Sequence, residues 1–506
     1  MKIKAPYLTK SKYVKGVRCL KALYLNEYHQ ELGKEPKEAD KFRMEQGKEV
    51  GNLAKKEFSG GVEILWSGSR NFEDELKATQ DALQKNVPAI FEATFAFNNI
   101  LVKVDILERT EMDPHFRGDD KRVWNLIEVK SSTKLEEEHI DDVSVQYYVL
   151  KNCGVKVNKV FLMCINTACV YPDLSNFFEK EDISEQVESR QEAVESQLKK
   201  QFQILGKSSE PNIDIGSYCD RYSGNTKDRE CEFKPYCWKH IKDDSVFELY
   251  RLGKSKKFDL YYSGSVLIKD LPSDFPLSAV QEKQVDAVNS GKPFMDREGI
   301  KEFLRKIEYP VRYLDFETAN PAIPLFDGIH PYEQIPFQFS CYARDADGNL
   351  EHSDFISLQK ADPREEFVKA LLKSVGKRGS ILVYHAPFEK GRLTELAEAF
   401  PEYKFQIDDI KERILDLEDI FPEHYYHPNF HGSMSIKRVL PVLCPDVSYS
   451  GLAITGGGEA STAYLKIQKG DLSQKEVSAI QKNLREYCQM DTMAMVKIHE
   501  FLEKLE

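Results

Sequence analysis

Two sets of carboxylates in this chain of 506 residues have spacings suited to holding a divalent cation. Asp315-Phe316-Glu317 closes a short apolar run, Val311-Arg312-Tyr313-Leu314. Strand residues two apart face the same side, so Asp315 and Glu317 can aim at one point. About 170 residues later, Tyr487 and Asp491 stand four apart in Tyr487-Cys488-Gln489-Met490-Asp491, and would share one face of a helix. The other set is in the first half. Asp105 lies in a strand-like run, and Glu128-Val129-Lys130 ends another strand about 20 residues on. Asp105 and Glu128 can hold an ion. Lys130 shares a face with Glu128 and can position or activate an attacking water, or offset charge at a phosphate. Gln146 follows on a helix, where it can orient the lysine or the backbone. Carboxylates gathered in this way take Mg²⁺ or Mn²⁺, and paired ions cleave phosphodiesters by clamping the attacking and leaving oxygens.

The elements that must position these residues are legible in outline. Residues 7–60 read as mostly helical, with Gly47 and Gly51 as interruptions. Ala89 to Phe97, the pair Asn98-Asn99, and Ile100 to Leu107 read as a hairpin across a two-residue turn. A polar loop, Asp113 to Lys121, leads to a strand from Arg122 to Val129, a helix around Asp141 to Lys151, and an apolar strand from Lys159 to Ile165. Residues 176–205 read as one charged helix, followed by a cysteine-bearing loop from Tyr218 to Trp238. The last 200 or so residues repeat the mixture: a strand at 311–316, a hairpin turning at Asp345 to Asn349, a strand from Ser380 to Tyr384, and a long helix over 474–504. Gly456-Gly457-Gly458 reads as a flexible loop and is no phosphate-binding Walker loop, because no Gly-Lys-Ser/Thr follows. The expectation is an α/β protein in three stretches: a domain over 1–242, a helical connector over 243–305, and a second domain over 306–506.

Composition narrows the class. A hydrophobic content of 41% and a mean hydropathy of −0.50 fit a globular enzyme with ample core. No stretch approaches the ~18 apolar residues of a membrane span, and the charged start, Met1-Lys2-Ile3-Lys4, lacks an apolar signal core. A cytoplasmic location without a membrane partner is expected. Ten cysteines then imply reduced thiols or a metal site, not a disulfide framework. A net charge of −12 argues against a broad phosphate-binding surface, but metal-site carboxylates add negative charge and a local basic groove can still attract a polyanion. Two basic segments, Lys2 to Lys15 and Arg251 to Lys257, read either as solvated faces or as parts of such a groove.

The first-half motif, Asp105 with Glu128-x-Lys130 and Gln146, resembles the PD-(D/E)xK nucleases, in particular their RecB-like branch. Cys19, with Cys219, Cys231 and Cys237 about 200 residues later, brackets it as in the iron–sulfur members of that branch. The resemblance implies a [4Fe–4S] cluster on these four thiolates, with structural zinc as the alternative; either would staple the N-terminal segment to the end of the domain. Relatives place a metal-binding histidine in the early helix where this chain has Gly51, which leaves Glu92 as the candidate third ligand. The second-half residues resemble a DnaQ-like (RNase H-like) exonuclease of the DEDD type in its tyrosine variant. That resemblance assigns the middle carboxylate to Glu389, with His385 at a place usually held by asparagine and Asp416 as a fallback. It implies that Asp315, Glu317, Glu389 and Asp491 hold one or two metal ions, that Tyr487 orients the attacking water, that cleavage runs 3′ to 5′, and that Lys437 or Arg438 touches a phosphate or is solvent-exposed. The whole resembles bacterial two-domain proteins whose C-terminal part is a domain of unknown function. The function expected is a two-site nuclease on DNA, trimming single-stranded ends in repair or defence. The alternatives are a nucleic-acid-binding scaffold with dead sites, or an RNA-trimming exonuclease.

Overall fold

A computed structural model describes residues 8–68, 72–110, 123–223 and 226–505. The chain forms two compact units: residues 1–239 with 322–332, and residues 240–321 with 333–506. The stretch 243–305, expected as a connector, is thus part of the second unit. The expected polar loop from Asp113 to Lys121 lies outside the described residues. Among the described residues no helix is long and apolar enough to cross a membrane.

The first unit is built on a seven-stranded mixed sheet: β1 (Leu8–Thr9), β2 (Val62–Glu63), β3 (Ala89–Phe97), β4 (Ile100–Thr110), β5 (Val123–Val129), β6 (Val157–Ile165) and β7 (Phe178–Asp182). The order is β2-β3-β4-β5-β6-β7, with β1 pairing in parallel with β4. β3 and β4 form the expected hairpin, because Asn98 and Asn99 both adopt the left-handed backbone (φ 46° and 62°) that a two-residue turn of matching twist requires. β5, Val-Trp-Asn-Leu-Ile-Glu-Val, is buried at every position but the last, as a parallel central strand must be. It runs parallel to β6 through the crossover helix Glu137–Asn152. Helices α1 (Lys10–Arg18), α2 (Leu20–Tyr28), α3 (Glu38–Lys55), α4 (the crossover helix Glu137–Asn152) and α5 (Gln191–Leu205) complete the unit's working parts. Two expectations are corrected. α3 runs through Gly47 and Gly51 without a break, since one glycine costs a helix only about 1 kcal/mol and Val50 and Ala54 anchor its buried side. The charged stretch 176–205 is not one helix: it opens as edge strand β7, paired with β6, before it turns helical.

The second unit holds a five-stranded sheet: β8 (Val311–Ala319), β9 (Ile335–Arg344), β10 (Leu350–Ile356), β11 (Ile381–Val383) and β12 (Ile414–Asp416), in the order β10-β9-β8-β11-β12. β8 is central, antiparallel to β9 and parallel to β11. Its alternation sends Leu314 and Phe316 into one core, and Val311 and Tyr313 into the other. Asp315 and Glu317 therefore share the face of Val311 and Tyr313. That face is covered by the 30-residue helix Gln474–Glu503, through Ala494, Met495 and Ile498. The helices used below are α6 (Ala386–Ala399), α7 (Ile436–Leu443), α8 (Gly457–Lys469) and α9 (the long helix Gln474–Glu503). The glycine run is not a loop: Gly456 caps α8 and Gly457 opens it.

Candidate functional site

In the second unit the carboxylates gather in an open cleft of about 420 Å³, lined among others by Asp315, Glu317, Glu389, Gly457, Tyr487 and Asp491. Each comes from a different constraint. β8 contributes Asp315 and Glu317, with a ladder irregularity just after Glu317. α6 contributes Glu389 in its first turn, and α9 contributes Tyr487 and Asp491, one turn apart on the face laid against the sheet. Glu317, Glu389 and Asp491 are 5%, 2% and 7% exposed, and Oε2 of Glu389 has no hydrogen-bond partner among the described residues. Burial, then repulsion from Asp491, Glu317 and Glu389, drives the Asp315 carboxyl well above its usual range. Glu317 is raised by burial and by Asp491, and burial pushes Glu389 up to about 8. Four carboxyls that resist joint ionisation are a site short of positive charge.

Groups not anticipated in these roles complete the cleft. The Cys488 thiol, on the same helix face, donates to Asp315 Oδ2 at 3.7 Å, and its sulfur lies within 4.8 Å of ligand oxygens of Asp315 and Glu317. Tyr449 donates its hydroxyl to Asp491 Oδ1 at 2.5 Å. Lys437, at the start of α7, donates to the Tyr487 hydroxyl at 2.9 Å and to the Thr455 carbonyl at 2.6 Å. The Tyr487 phenol is kept neutral by burial and by Asp491. Its oxygen accepts from the Lys437 ammonium, and its own proton is engaged in a hydrogen bond to the Asp491 carboxylate.

Asp416 is not a free carboxylate. Its oxygens accept the backbone N–H groups of His385 (2.9 Å) and Ala386 (2.7 Å), orphan donors at the start of α6, and that of Glu418 (3.0 Å) in the turn Asp416 itself caps. His385 takes a left-handed backbone (φ 77°) and its ring meets Glu418 Oε2 at 3.0 Å.

In the first unit, the pairing of Ile106 with Ile127 continues to put Asp105 opposite Glu128. Glu128 is 1% exposed and fully engaged: Oε1 accepts from Lys130 (2.6 Å) and Lys10 (2.9 Å), Oε2 from Gln146 (2.8 Å) and Lys10 (3.1 Å). Burial would raise its pKa, but the two ammonium groups outweigh that and hold the carboxyl well below the usual range. Lys130 also donates to Asp142 Oδ2 at 2.6 Å. Asp105 Oδ2 accepts from the Val129 N–H at 2.9 Å, and burial followed by Glu128 pushes its carboxyl up to about 7. Asp142 and Gln146 stand one turn apart on α4, both facing the group. The spacing of Asp142 from Gln146 is a signal that would have found the aspartate. No local pattern marks Lys10, which the sequence placed in a basic stretch read as a solvated face or a groove. Glu92 is not brought into this group by any described contact. It sits opposite Asp105 with a left-handed backbone (φ 54°) that interrupts the ladder, and its carboxylate pairs with Lys55 of α3 at 3.0 Å.

The four cysteines line one cavity of about 210 Å³. Cys19 is the N-cap of α2, its sulfur accepting the Ala22 N–H at 3.4 Å. Cys219 and Cys231 are tied by a backbone hydrogen bond of 2.8 Å, and Cys237 ends the turn Lys234–Cys237. Burial pushes the Cys231 thiol up to about 12 and raises Cys19 and Cys237. Of the remaining cysteines of the first unit, Cys164 and Cys169 are buried and Cys153 is exposed.

Residues 312–435 match a domain of unknown function, DUF2779. That span contains Asp315, Glu317 and Glu389 and stops before α7 and α9. The chain is 25% identical over 327 residues to an uncharacterized protein of Ureaplasma parvum serovar 3, covering 58% of this chain and 45% of that protein. It is 29% identical over 295 residues to an uncharacterized protein of Mycoplasma pneumoniae, covering 52% and 43%. The chain spans less than half the length of these curated relatives.

Proposed function

We propose that the protein is a metal-dependent nuclease with two sites, the second unit an RNase H-like (DnaQ-like) exonuclease and the first a RecB-like PD-(D/E)xK nuclease. The observation that carries this reading is the cleft of Asp315, Glu317, Glu389 and Asp491. Four carboxyls held near one another, with raised proton affinities and an unpartnered oxygen on Glu389, suit one or two Mg²⁺ or Mn²⁺ ions. Such ions would polarise a phosphodiester and lower the pKa of a bound water. Tyr487, held between Lys437 and Asp491, would orient that water. The substrate is DNA, with single-stranded ends at the second site. The group Asp105, Glu128, Lys130 and Gln146 supports the first site, with Lys130 positioned over Glu128 to act at the phosphate. For the four cysteines, which line one cavity, we propose a [4Fe–4S] cluster, with structural zinc as the alternative.

The test is digestion of end-labelled single and double strands of DNA and RNA with Mg²⁺ and with Mn²⁺. Lys130→Ala and Asp315→Asn should each remove one activity by about 10²–10³-fold, the effect expected when a group acting on developing charge is lost, and the double variant should be inert. Loss of all cleavage in one single variant would leave a single live site. No cleavage by the unmodified protein on either polymer would replace this reading with that of a binding scaffold.

A further inference from the structure

The first-unit carboxylates are already bridged by a cation of the protein's own. Lys10 Nζ donates to both oxygens of Glu128, at 2.9 and 3.1 Å, and lies 3.7 Å from Asp105 Oδ1. This ammonium therefore touches both carboxylates that the nuclease reading assigns to metal. We propose that Lys10 is the built-in second cation of this site: its tethered ammonium supplies, between Asp105 and Glu128, the positive charge that a second metal ion would otherwise bring, and the site takes a single divalent ion. The inference rests on the nuclease reading of the first unit.

Charge supports it. Asp105, Glu128 and Asp142 bring three negative charges, and Lys10 and Lys130 two positive ones. One divalent ion turns that net −1 into +1, whereas two would leave an excess that a recessed site tolerates poorly. The second-unit cleft is the contrast: four carboxyls, with the nearby Lys437 ammonium hydrogen-bonded to Tyr487 and Thr455 rather than to a carboxylate. The oxygens left in the first unit agree. Among the described residues, every hydrogen-bond partner of Glu128 is a nitrogen donor, Asp105 Oδ1 has no partner closer than its 3.7 Å ion pair, and the buried Gln146 Oε1 has none.

The lysine is also held in place, which a mere surface counter-ion would not be. It is the first residue of α1, whose N-cap, Thr9, belongs to β1 and pairs with β4, the strand that carries Asp105. Gln201 and Gln197 of α5 donate to the carbonyls of Tyr13 (2.9 Å) and Gly16 (3.0 Å). A Cβ on Gly16 would fall 2.5 Å from the Gln201 side chain, so α1 is seated closely. The far end of α1 is fixed at Cys19. Lys10 is thus a positioning residue delivered by the fold.

The experiment counts Mn²⁺ bound to the full-length protein carrying Asp315→Asn and Asp491→Asn, by electron paramagnetic resonance and calorimetry, taking Asp105→Asn in the same background as zero. One ion per chain is expected. Adding Lys10→Met should admit a second ion, or tighten the first by about tenfold as one competing charge leaves, and Lys10→Arg should restore the original count. Two ions bound with Lys10 present would overturn the proposal while leaving the nuclease reading intact, and so would unchanged count and affinity in Lys10→Met. If Lys10→Met does not fold, the count with Lys10 present decides alone. No ion in any variant would remove the metal reading of the first unit, and the role of Lys10 with it.

Discussion

Glu389 shows how much one residue's surroundings decide. In an unfolded chain a glutamate ionises near 4.5, whereas here burial holds the proton up to about 8. A carboxyl whose folded pKa lies above its unfolded one favours the fold while protonated. Stability is full below about 4.5 and is lost as pH rises toward 8. Asp315 and Glu317 shift in the same direction. The metal-free protein should therefore melt at progressively lower temperature from pH 5 to pH 9, read by scanning calorimetry, with Mn²⁺ restoring more at pH 9 than at pH 5. Glu389→Gln should flatten that slope. Asp315→Asn should raise the melting temperature of the metal-free second unit, by about 2–4 °C if relief of repulsion amounts to about 1 kcal/mol, while abolishing its gain from Mn²⁺. A metal-free stability that climbs with pH would contradict the geometry. The types and order of these carboxylates were readable from the chain, because strand and helix periodicities dictate which neighbours share a face. Lys10 and Tyr449 were not, because no local spacing connects a lysine at position 10 to Glu128 or a tyrosine at 449 to Asp491; Asp142, one helical turn from Gln146, carried a signal that went unread.

At the level of elements, Asp416 separates two roles that a bare sequence cannot. As a metal ligand it would tolerate no amide; as a cap, asparagine would keep the His385 and Glu418 N–H groups on its one oxygen and lose only that of Ala386. Asp416→Asn should keep exonuclease activity within a few-fold, while Asp416→Ala should cost about 1 kcal/mol of stability and lower activity by loosening the start of α6 that presents Glu389. Thermal melts and digestion of a labelled single strand decide between them. The elements legible from the sequence were those with strong local logic: the Asn98-Asn99 hairpin, the buried strand β5, and the long helix α9, whose length and period exclude a strand. The failures share a cause. Glycines at 47, 51 and 456–458 were read as breaks, but packing overrides a local preference of about 1 kcal/mol. Strand β7 was read as helix because its charged residues satisfy an exposed edge strand as well as a solvated helix.

For the whole molecule, the division falls at Lys239 and His240, with residues 322–332 returned to the first unit. A compositional reading had drawn a separate connector there. The thiol cavity belongs wholly to the first unit, since Cys19 lies at one end of it in sequence and Cys219, Cys231 and Cys237 at the other. An ion or cluster joining them closes a loop of about 200 residues, and constraints on long loops stabilise mainly by limiting the unfolded chain. Anaerobically purified protein should be brown and carry about four irons per chain. Stripping the iron with a chelator should lower the melting temperature of the first unit and its cleavage, leaving Mn²⁺-dependent trimming by the second unit in place. A colourless protein with one zinc would replace the cluster but keep the staple.

By itself the amino-acid order determined the alternation of helix and strand, the two carboxylate groups and the bracketing cysteines, because each follows from side-chain chemistry repeated at short, periodic intervals. Only the tertiary structure decided that Lys10 bridges Asp105 and Glu128, that Asp416 caps a helix while Glu389 lines the cleft, and that Glu92 pairs with Lys55. Those outcomes depend on which distant surfaces pack together, and the energy of such packing is not written in any one stretch of the chain.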